Sequence, residues 1–336
     1  MLRPDDVGDL RCPVCRQGLR FRGYVARARL DRGELICTGC PASYQVFSGV
    51  AELYREEEVR GGDRAMRVIY DRLAVLHDPL VRFSFPLALG ESEATSRARY
   101  LERLELEALP REMRGQRAAR ILEIGAGTGS NIPLVRNRLP SGLAADLWAV
   151  DLSMGMLRLL AERMRFLGDG ETRFAAADAH ALPFPDGFFD RVFHVGGIAG
   201  YRDPRRALAE MVRVARPSTP ILVVDERLDP DRQHSLFHRL FFRWVTIYDR
   251  DPHVPVEHLP ANAHDVRIEQ VGRFFYGLTF RVGAPASSKK PRRQAPAKPS
   301  ARDGRPPPSR PKAAVRSRSS APKSGGARAR RRKPRA

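Results

Sequence analysis

The sequence predicts an α/β protein built on a doubly wound, mostly parallel sheet, with a small cysteine-bearing module ahead of it and a disordered basic tail behind. Three observations carry this. Apolar strand-like runs at 119–124, 147–150, 173–177, 190–195 and 221–225 alternate with stretches of helical periodicity, and such alternation implies parallel strands joined by crossover helices. The first run passes straight into three glycines at alternate positions, Gly125, Gly127 and Gly129, as the strand-to-helix turn of a ligand site does. All four cysteines of the 336-residue chain fall into two C-x2-C pairs.

Those pairs, Cys12-Pro-Val-Cys15 and Cys37-Thr-Gly-Cys40, are separated by 21 residues. Each puts two thiolates on one tight turn, and two such turns complete a tetrahedral site with Zn–S distances of about 2.3 Å. Four thiolates close the coordination sphere, so the expected metal is a structural Zn²⁺. The rival reading, two disulfides, needs an oxidising compartment. The opening Met-Leu-Arg-Pro-Asp-Asp lacks the pattern of a secretory leader, which predicts a cytoplasmic chain. No apolar run approaches the ~20 residues of a membrane span. A module of residues 1–59 is too small to hold a core alone, so the metal is expected to supply much of its folding energy.

Residues 60–117 read as a helical lid or linker, with amphipathic patterns at 64–83 and 93–109 broken at Gly90 and Ser92. The main domain is expected over 118–283. Its helix before the fifth strand opens at Asp203-Pro204, buries Leu208, Met211, Val212 and Ala215, and stops before Pro217. An insertion at 228–262 holds an aromatic and apolar stretch at helical spacing from Leu236 to Tyr248, either a cap helix packed on the core or an apolar pocket wall. Strand-forming residues at 265–271 and 274–282 around Gly272 predict a terminal hairpin.

The tail, 284–336, holds 18 of the 59 Lys/Arg, one of the 39 acids, ten prolines and no aromatic residue. That composition predicts disorder. It also leaves only +3 of the net +20 on the rest of the chain. The tail suits non-specific, salt-sensitive binding of nucleic acid or of an anionic membrane surface, or serves as a solvated extension.

The glycine loop narrows the ligand. Its G-x-G-x-G spacing departs from the dinucleotide fingerprint G-x-G-x-x-G, because position 130 is Ser, and neither the lysine nor the spacing of a P-loop is present. A ligand with an adenosine but no phosphate remains. Two acids fit it: Glu123, two residues before the first glycine, and Asp151, closing the next strand where an acid can hold both ribose hydroxyls.

Four blocks now resemble one family in order. Glu-Ile-Gly-Ala-Gly-Thr-Gly (123–129), Val-Asp-Leu-Ser-Met-Gly-Met-Leu (150–157) and the double block Ala-Asp-Ala-His-Ala-Leu-Pro-Phe-Pro-Asp-Gly-Phe-Phe-Asp (177–190) are similar to the motifs of class I S-adenosylmethionine-dependent methyltransferases, in particular the type 11 and ubiquinone–menaquinone C-methyltransferase branch. The match covers about half the chain. It implies a seven-stranded, Rossmann-like methyltransferase sheet ending in the hairpin. It further implies that Asp151 with Leu152 holds the ribose, Asp178 and Ala179 the adenine edge, the loop Gly125, Ala126, Gly127, Thr128 and Gly129 the methionine moiety, and that His194 with Val195 lines the floor beneath the sulfonium. Relatives carry glycines where this chain reads Arg-Pro-Ser-Thr-Pro (216–220). Quinone-type relatives also carry a Tyr-Asp-x-x-Ala block, so Tyr70 or Asp71 is a candidate contact for the methionine end, against the alternative that this helix only packs its apolar face on the sheet. The run from Leu35 to Leu53 is similar to small zinc-ribbon proteins that activate tRNA and translation-factor methyltransferases.

Methyl transfer from a sulfonium asks mainly for in-line placement of the acceptor, about 3–3.5 Å from the methyl carbon. His194, Tyr201 and Asp225 stand where a proton could be relayed, but a His at a strand end with no visible partner is ordinarily structural, and no catalytic residue is assigned. The Asn/Asp-Pro-Pro-aromatic tetrapeptide of exocyclic-amine methyltransferases is absent, His194-Val-Gly-Gly197 standing in its place. The expected function is methylation of a small, apolar or aromatic molecule. The alternative is modification of rRNA, tRNA or a translation-associated protein, with ribbon and tail as docking elements.

Overall fold

The structure is a computed structural model that describes residues 1–283 apart from 90, 91, 111–116, 248 and 250. The expected tail lies outside the described residues, as do Gly90 and Tyr248. The N-terminal strands are β1 (Leu19–Ala26), β2 (Arg29–Cys37), β3 (Ser43–Phe47) and β4 (Val50–Leu53). The main domain supplies β5 (Ala119–Ile124), β6 (Ala145–Asp151), β7 (Arg173–Ala177), β8 (Arg191–Val195), β9 (Ile221–Glu226), β10 (Ala263–Val271) and β11 (Phe275–Val282). The helices are α1 (Gly61–Leu89), α2 (Glu93–Leu101), α3 (Ile132–Arg138), α4 (Met154–Phe166), α5 (Pro204–Val214) and α6 (Leu236–Val245).

Seven of the strands run in the order β7-β6-β5-β8-β9-β11-β10, with β5 to β9 parallel and β11 antiparallel between β9 and β10. The order reverses at β5, so the crevice beyond the strand ends there is the natural ligand position. The expectation of seven strands needs one correction. Among the described residues the sheet has eleven, in the order β1-β2-β3-β4-β7-β6-β5-β8-β9-β11-β10. Strand β4 pairs in parallel with β7, Glu52 opposite Ala176 and Leu53 opposite Ala177, so the cysteine module is an extension of the main sheet rather than a separate body.

Alternation along β5 sends Leu122 and Ile124 to one face of the sheet and Ala119 and Ile121 to the other. On the first face, Leu2, Leu10, Tyr44 and Leu53 of the N-terminal module share one core with Trp148, Phe184 and the α5 residues Leu208 and Met211. An ion pair binds the module at its rim: Arg173, held from its own domain by Asp146 at 2.7 Å, joins Asp6 at 2.5 Å. On the second face α2 and α4 pack through Tyr100, Leu157 and Leu160.

The lid differs from expectation in length. Helix α1 runs past both Pro79 and Pro86 to Leu89, whereas α2 stops at Leu101 and gives way to two 3-10 turns, Glu102–Leu104 and Leu106–Ala108. Buried Arg191 causes this break. Its guanidinium donates to the carbonyls of Leu104 and Glu105, and Glu105 takes a left-handed φ of 48° between the turns. Ser92 caps α2 by accepting from the Thr95 N–H at 3.1 Å. At the turn before β9, Ser218 adopts φ 65°, the conformation for which a glycine is suited.

Candidate functional site

At the reversal point the C-terminal ends of β5, β6, β8 and β9 and the lid enclose a cavity of about 480 Å³, within the range of small-molecule and cofactor sites. Gly125, Gly127 and Gly129 all have positive φ, but they serve different needs. A Cβ at Gly129 would lie 2.9 Å from Leu160 Cγ, and one at Gly125 would lie 3.1 Å from the His194 ring. Nothing lies within 4 Å of a Cβ built at Gly127, whose bare backbone lines the cavity.

Asp151 holds this loop. Its Oδ2 accepts the Gly127 N–H at 2.7 Å and its Oδ1 the Ser153 N–H at 2.8 Å. Burial pushes its carboxyl up and these two amides pull it down; the balance lies above the ordinary value. Leu152, Ala126 and Thr128 line the cavity beside it.

Glu123 is buried at the base of the loop. One oxygen accepts from Asn131 Nδ2 at 2.6 Å, and Asn131 Oδ1 in turn accepts from Arg97 Nη1 and the Tyr100 hydroxyl, each at 2.8 Å. The second oxygen, Oε2, is buried without a protein partner. Burial pushes this carboxyl up to about 7. Both Glu123 and Arg97 face the cavity.

Asp178 and Ala179 also line the cavity. The Asp178 carboxylate is already engaged by His180 Nδ1 at 2.6 Å and Arg202 Nη2 at 2.5 Å. Burial opposes ionisation, but those donors outweigh it and hold the carboxyl at about 2. Arg202 also binds Asp63 of α1.

Two candidate residues lie off the cavity. His194 sits behind the wall, 1 % exposed, with its Nδ1–H donated to the Ile124 carbonyl at 2.9 Å. Burial lowers its pKa, so it is neutral and buttresses the Gly125 turn. Gly129 packs against α4. Val195 does line the cavity, as does Tyr201. Asp225 is committed to structure, since its oxygens accept the Gly197 N–H at 2.8 Å and the Ala199 N–H at 3.0 Å.

Of the lid's acids, sequence reasoning named only Asp71, and as a contact for the methionine end; Asp63 and Asp78 it missed. Asp63, Asp71 and Asp78 fall on one face of α1, and each grips a different part of the site. Asp63 holds Arg202 and through it Asp178. Asp71 accepts from Ser153 Oγ at 2.6 Å and the Gly155 N–H at 2.8 Å. Asp78 accepts from Thr128 Oγ1 at 2.8 Å and pairs with Arg163. A Cβ at Gly155 would lie 2.8 Å from Asp71 Cα, so only glycine allows α1 this close. Tyr70 lines the cavity, whereas Asp71 acts on the loop that follows Asp151. Glu226, at the end of β9, also faces the cavity; its position beyond Asp225 at a strand's C-terminal end was the available signal. The 228–262 insertion serves both roles foreseen for it. Phe242 packs on Phe274 with ring centroids 5.5 Å apart, while Trp244 and Val245 wall the cavity.

The four cysteine sulfurs lie within 4.8 Å of one another, with Cys15–Cys37 at 3.3 Å and Cys12–Cys40 at 3.7 Å. A tetrahedron with ~2.3 Å metal–sulfur bonds has edges of about 3.8 Å, so the cluster suits a single tetrahedral ion. The Gly39 N–H and the Tyr44 hydroxyl approach Cys37 and Cys12 at 3.3 Å and 3.1 Å, as partners around a metal–thiolate site do.

Residues 121–218 match the family model of a methyltransferase domain. The chain is 34 % identical over 126 residues to a demethylmenaquinone methyltransferase of Thermus thermophilus, covering 38 % of this chain and 56 % of that protein. It is 37 % identical over 108 residues to a ubiquinone/menaquinone biosynthesis C-methyltransferase of Bordetella avium, covering 32 % and 40 % respectively. The chain thus spans about half the length of the curated relatives it matches. Among solved structures, a phosphoethanolamine N-methyltransferase of Haemonchus contortus in complex with S-adenosylmethionine aligns with a TM-score of 0.42 at 16 % identity, over 53 % of this chain and 52 % of that one.

Proposed function

We propose that this chain, which carries a class I S-adenosylmethionine-dependent methyltransferase domain, transfers a methyl group from that cofactor to a small, apolar or aromatic acceptor. The observation that carries the reading is the cavity itself. Bare glycine backbone, two carboxylates and the crevice of a reversing parallel sheet form one wall, and apolar side chains of α1 and α6 form the other.

The residues present fit the cofactor. Asp151 has lone pairs left for ribose hydroxyls after accepting two amides, and Leu152 flanks it. Ala179 and Asp178 bound the adenine end. The Gly125–Gly129 turn, with Ala126, Gly127 and Thr128 facing the cavity, takes the methionine moiety. The unpartnered Glu123 oxygen suits its ammonium and Arg97 its carboxylate. Bound there, the cofactor supplies an activated methyl group on a positively charged sulfur. The chain's own part is to orient the acceptor against Val195 and Tyr70, to exclude water with the lid, and to accept a proton at Glu226 where the acceptor loses one. The four cysteines hold a structural Zn²⁺, which ties the two knuckles to β2 and to the strand order of the module.

Calorimetric titration of the zinc-loaded chain with S-adenosylmethionine, S-adenosylhomocysteine and NAD tests the site. Micromolar binding of the two sulfur ligands alone is expected; binding of NAD, or of none, overturns the reading. The demethylmenaquinone and ubiquinone/menaquinone relatives support a quinone-like ring as the first acceptor to screen.

A further inference from the structure

We propose that the outward faces of α1 and α6 form a docking surface for an anionic lipid bilayer, placed so that the cavity opens toward the membrane. The idea rests on the apolar-acceptor reading only for its purpose, because docking is measurable without turnover. On α1, Ile69, Leu73, Leu76, Leu80 and Phe83 recur every three or four residues as one exposed stripe, with Val75 beside it 71 % exposed and Phe83 itself 76 % exposed. On and just after α6, Leu236 is 73 % and Ile247 80 % exposed, and Phe237, Leu240 and Trp244 are also outward. Both stripes border the one cavity, since Ile69 and Leu80 line it from α1 and Trp244 and Ile247 from the α6 side. Soluble surfaces rarely expose so much apolar area around one opening.

The charges identify the occupant. Helix α6 contains Arg239 and Arg243 and no acid. Helix α1 has three acids, and Asp63, Asp71 and Asp78 are all spent on inward partners. Its Arg64, Arg72 and Arg82 remain at exposed positions. An apolar stripe rimmed by cations, with an aromatic residue at its edge, matches the interface of an anionic bilayer. A second copy of the chain fits worse, because a symmetric contact through these faces would bring like-charged arginines together.

Trp244 reports on the proposal directly. The chain has two tryptophans, and the other, Trp148, is buried. The full-length zinc-loaded chain is mixed with vesicles of phosphatidylglycerol and phosphatidylcholine in equal parts, or of phosphatidylcholine alone, and tryptophan emission and co-sedimentation are followed. Docking through this surface gives a blue shift with the anionic vesicles, quenching by brominated lipid, and attenuation by salt. Phe237→Ser with Leu240→Ser, and separately Leu73→Ser with Leu76→Ser, should abolish the shift, and Arg72→Glu with Arg239→Glu should weaken partitioning by more than about tenfold. None of these residues lines the cavity, so S-adenosylmethionine affinity should be unchanged, and that separate readout distinguishes failure of docking from failure of the cofactor site. Co-sedimentation with unshifted Trp244 emission means that the basic tail alone binds, and overturns the proposal. So does a blue shift without vesicles that grows with protein concentration, which means self-association, and so does the absence of binding.

Discussion

Two carboxylates at the glycine loop carry the sharpest consequences, because each binds its surroundings in a way that substitution can read. Asp151 accepts the Gly127 amide, so Asp151→Ala removes both the proposed ribose acceptor and the loop's anchor. Gly127→Val puts a β-branched residue at φ 54° with its side chain entering the cavity, a conformation such residues avoid. Both variants should lose at least about tenfold in S-adenosylmethionine affinity, or roughly 1.4 kcal/mol, with circular dichroism unchanged; normal affinity in both would refute the site. Glu123 makes a pH prediction. Its ordinary value is 4.5 and its buried value about 7, so folding favours the protonated acid. Its contribution to stability is full below pH 4.5 and is lost as pH rises through 7, on the order of 3 kcal/mol. Glu123→Gln keeps an acceptor for Asn131 and should flatten the stability of the ligand-free protein across that window. Cofactor binding in the parent should strengthen as pH rises through 7, where the ionised carboxylate meets the ammonium, and the variant should lose that dependence. A titration with the same slope in both proteins would remove Glu123 from the methionine end. Glu226→Gln should slow turnover of any acceptor that must lose a proton while leaving cofactor affinity intact, and equal turnover would release Glu226 from that role.

At the level of elements, the strands were legible because each is a short apolar run bounded by turn residues, and all five central ones stand within two residues of where the pattern put them. Helix ends were harder. The break after Leu101 is set by Arg191, ninety residues away in sequence, whose buried guanidinium needs the carbonyls of Leu104 and Glu105; no local signal at 102–105 announces it. The lid's apolar periodicity marked α1 as a helix but drew attention to the wrong face. Its placement over the site comes from Asp63, Asp71 and Asp78, spaced eight and seven residues apart; the sequence pointed to Asp71 alone, as a contact for the methionine end, and Asp63 and Asp78 read as a solvated face until their partners are known. This yields a prediction for the element. Hydrogen bonds from His77 and Thr128 and the charge of Arg163 outweigh burial and hold Asp78 at about 2. Its stabilising effect is therefore present above 3.8 and fades only as pH falls toward 2. Asp78→Ala should raise amide exchange along α1 at neutral pH and weaken cofactor binding, with a small change in global stability because the pair is partly exposed. Unchanged exchange in α1 would mean that its apolar contacts alone fix the lid.

Over the whole molecule, the cysteine spacing announced a four-thiolate cluster but not how its module is attached, because strand β4 is four residues long and pairs with a strand more than 120 residues later in the chain. Long-range edge pairing of that kind leaves no periodic trace. Its consequence is thermodynamic. A module folded by its metal alone should melt independently when the metal is removed. Here Leu2, Leu10, Tyr44 and Leu53 sit in the same core as Trp148, Phe184 and Leu208, and β4 continues the main sheet, so the module cannot unfold without exposing apolar surface of the methyltransferase domain. Chelation, or Cys37→Ser with Cys40→Ser, should therefore lower a single calorimetric transition by several kcal/mol, about 10 °C for a unit of this size, rather than split off an early one. Two resolved transitions, the first disappearing in the cysteine variant, would show that the shared core does not couple the parts. A single shifted transition would mean that the ion stabilises the sheet that presents Asp151 and the glycine loop, and metal loss would then be expected to weaken cofactor binding from more than 80 residues away in sequence.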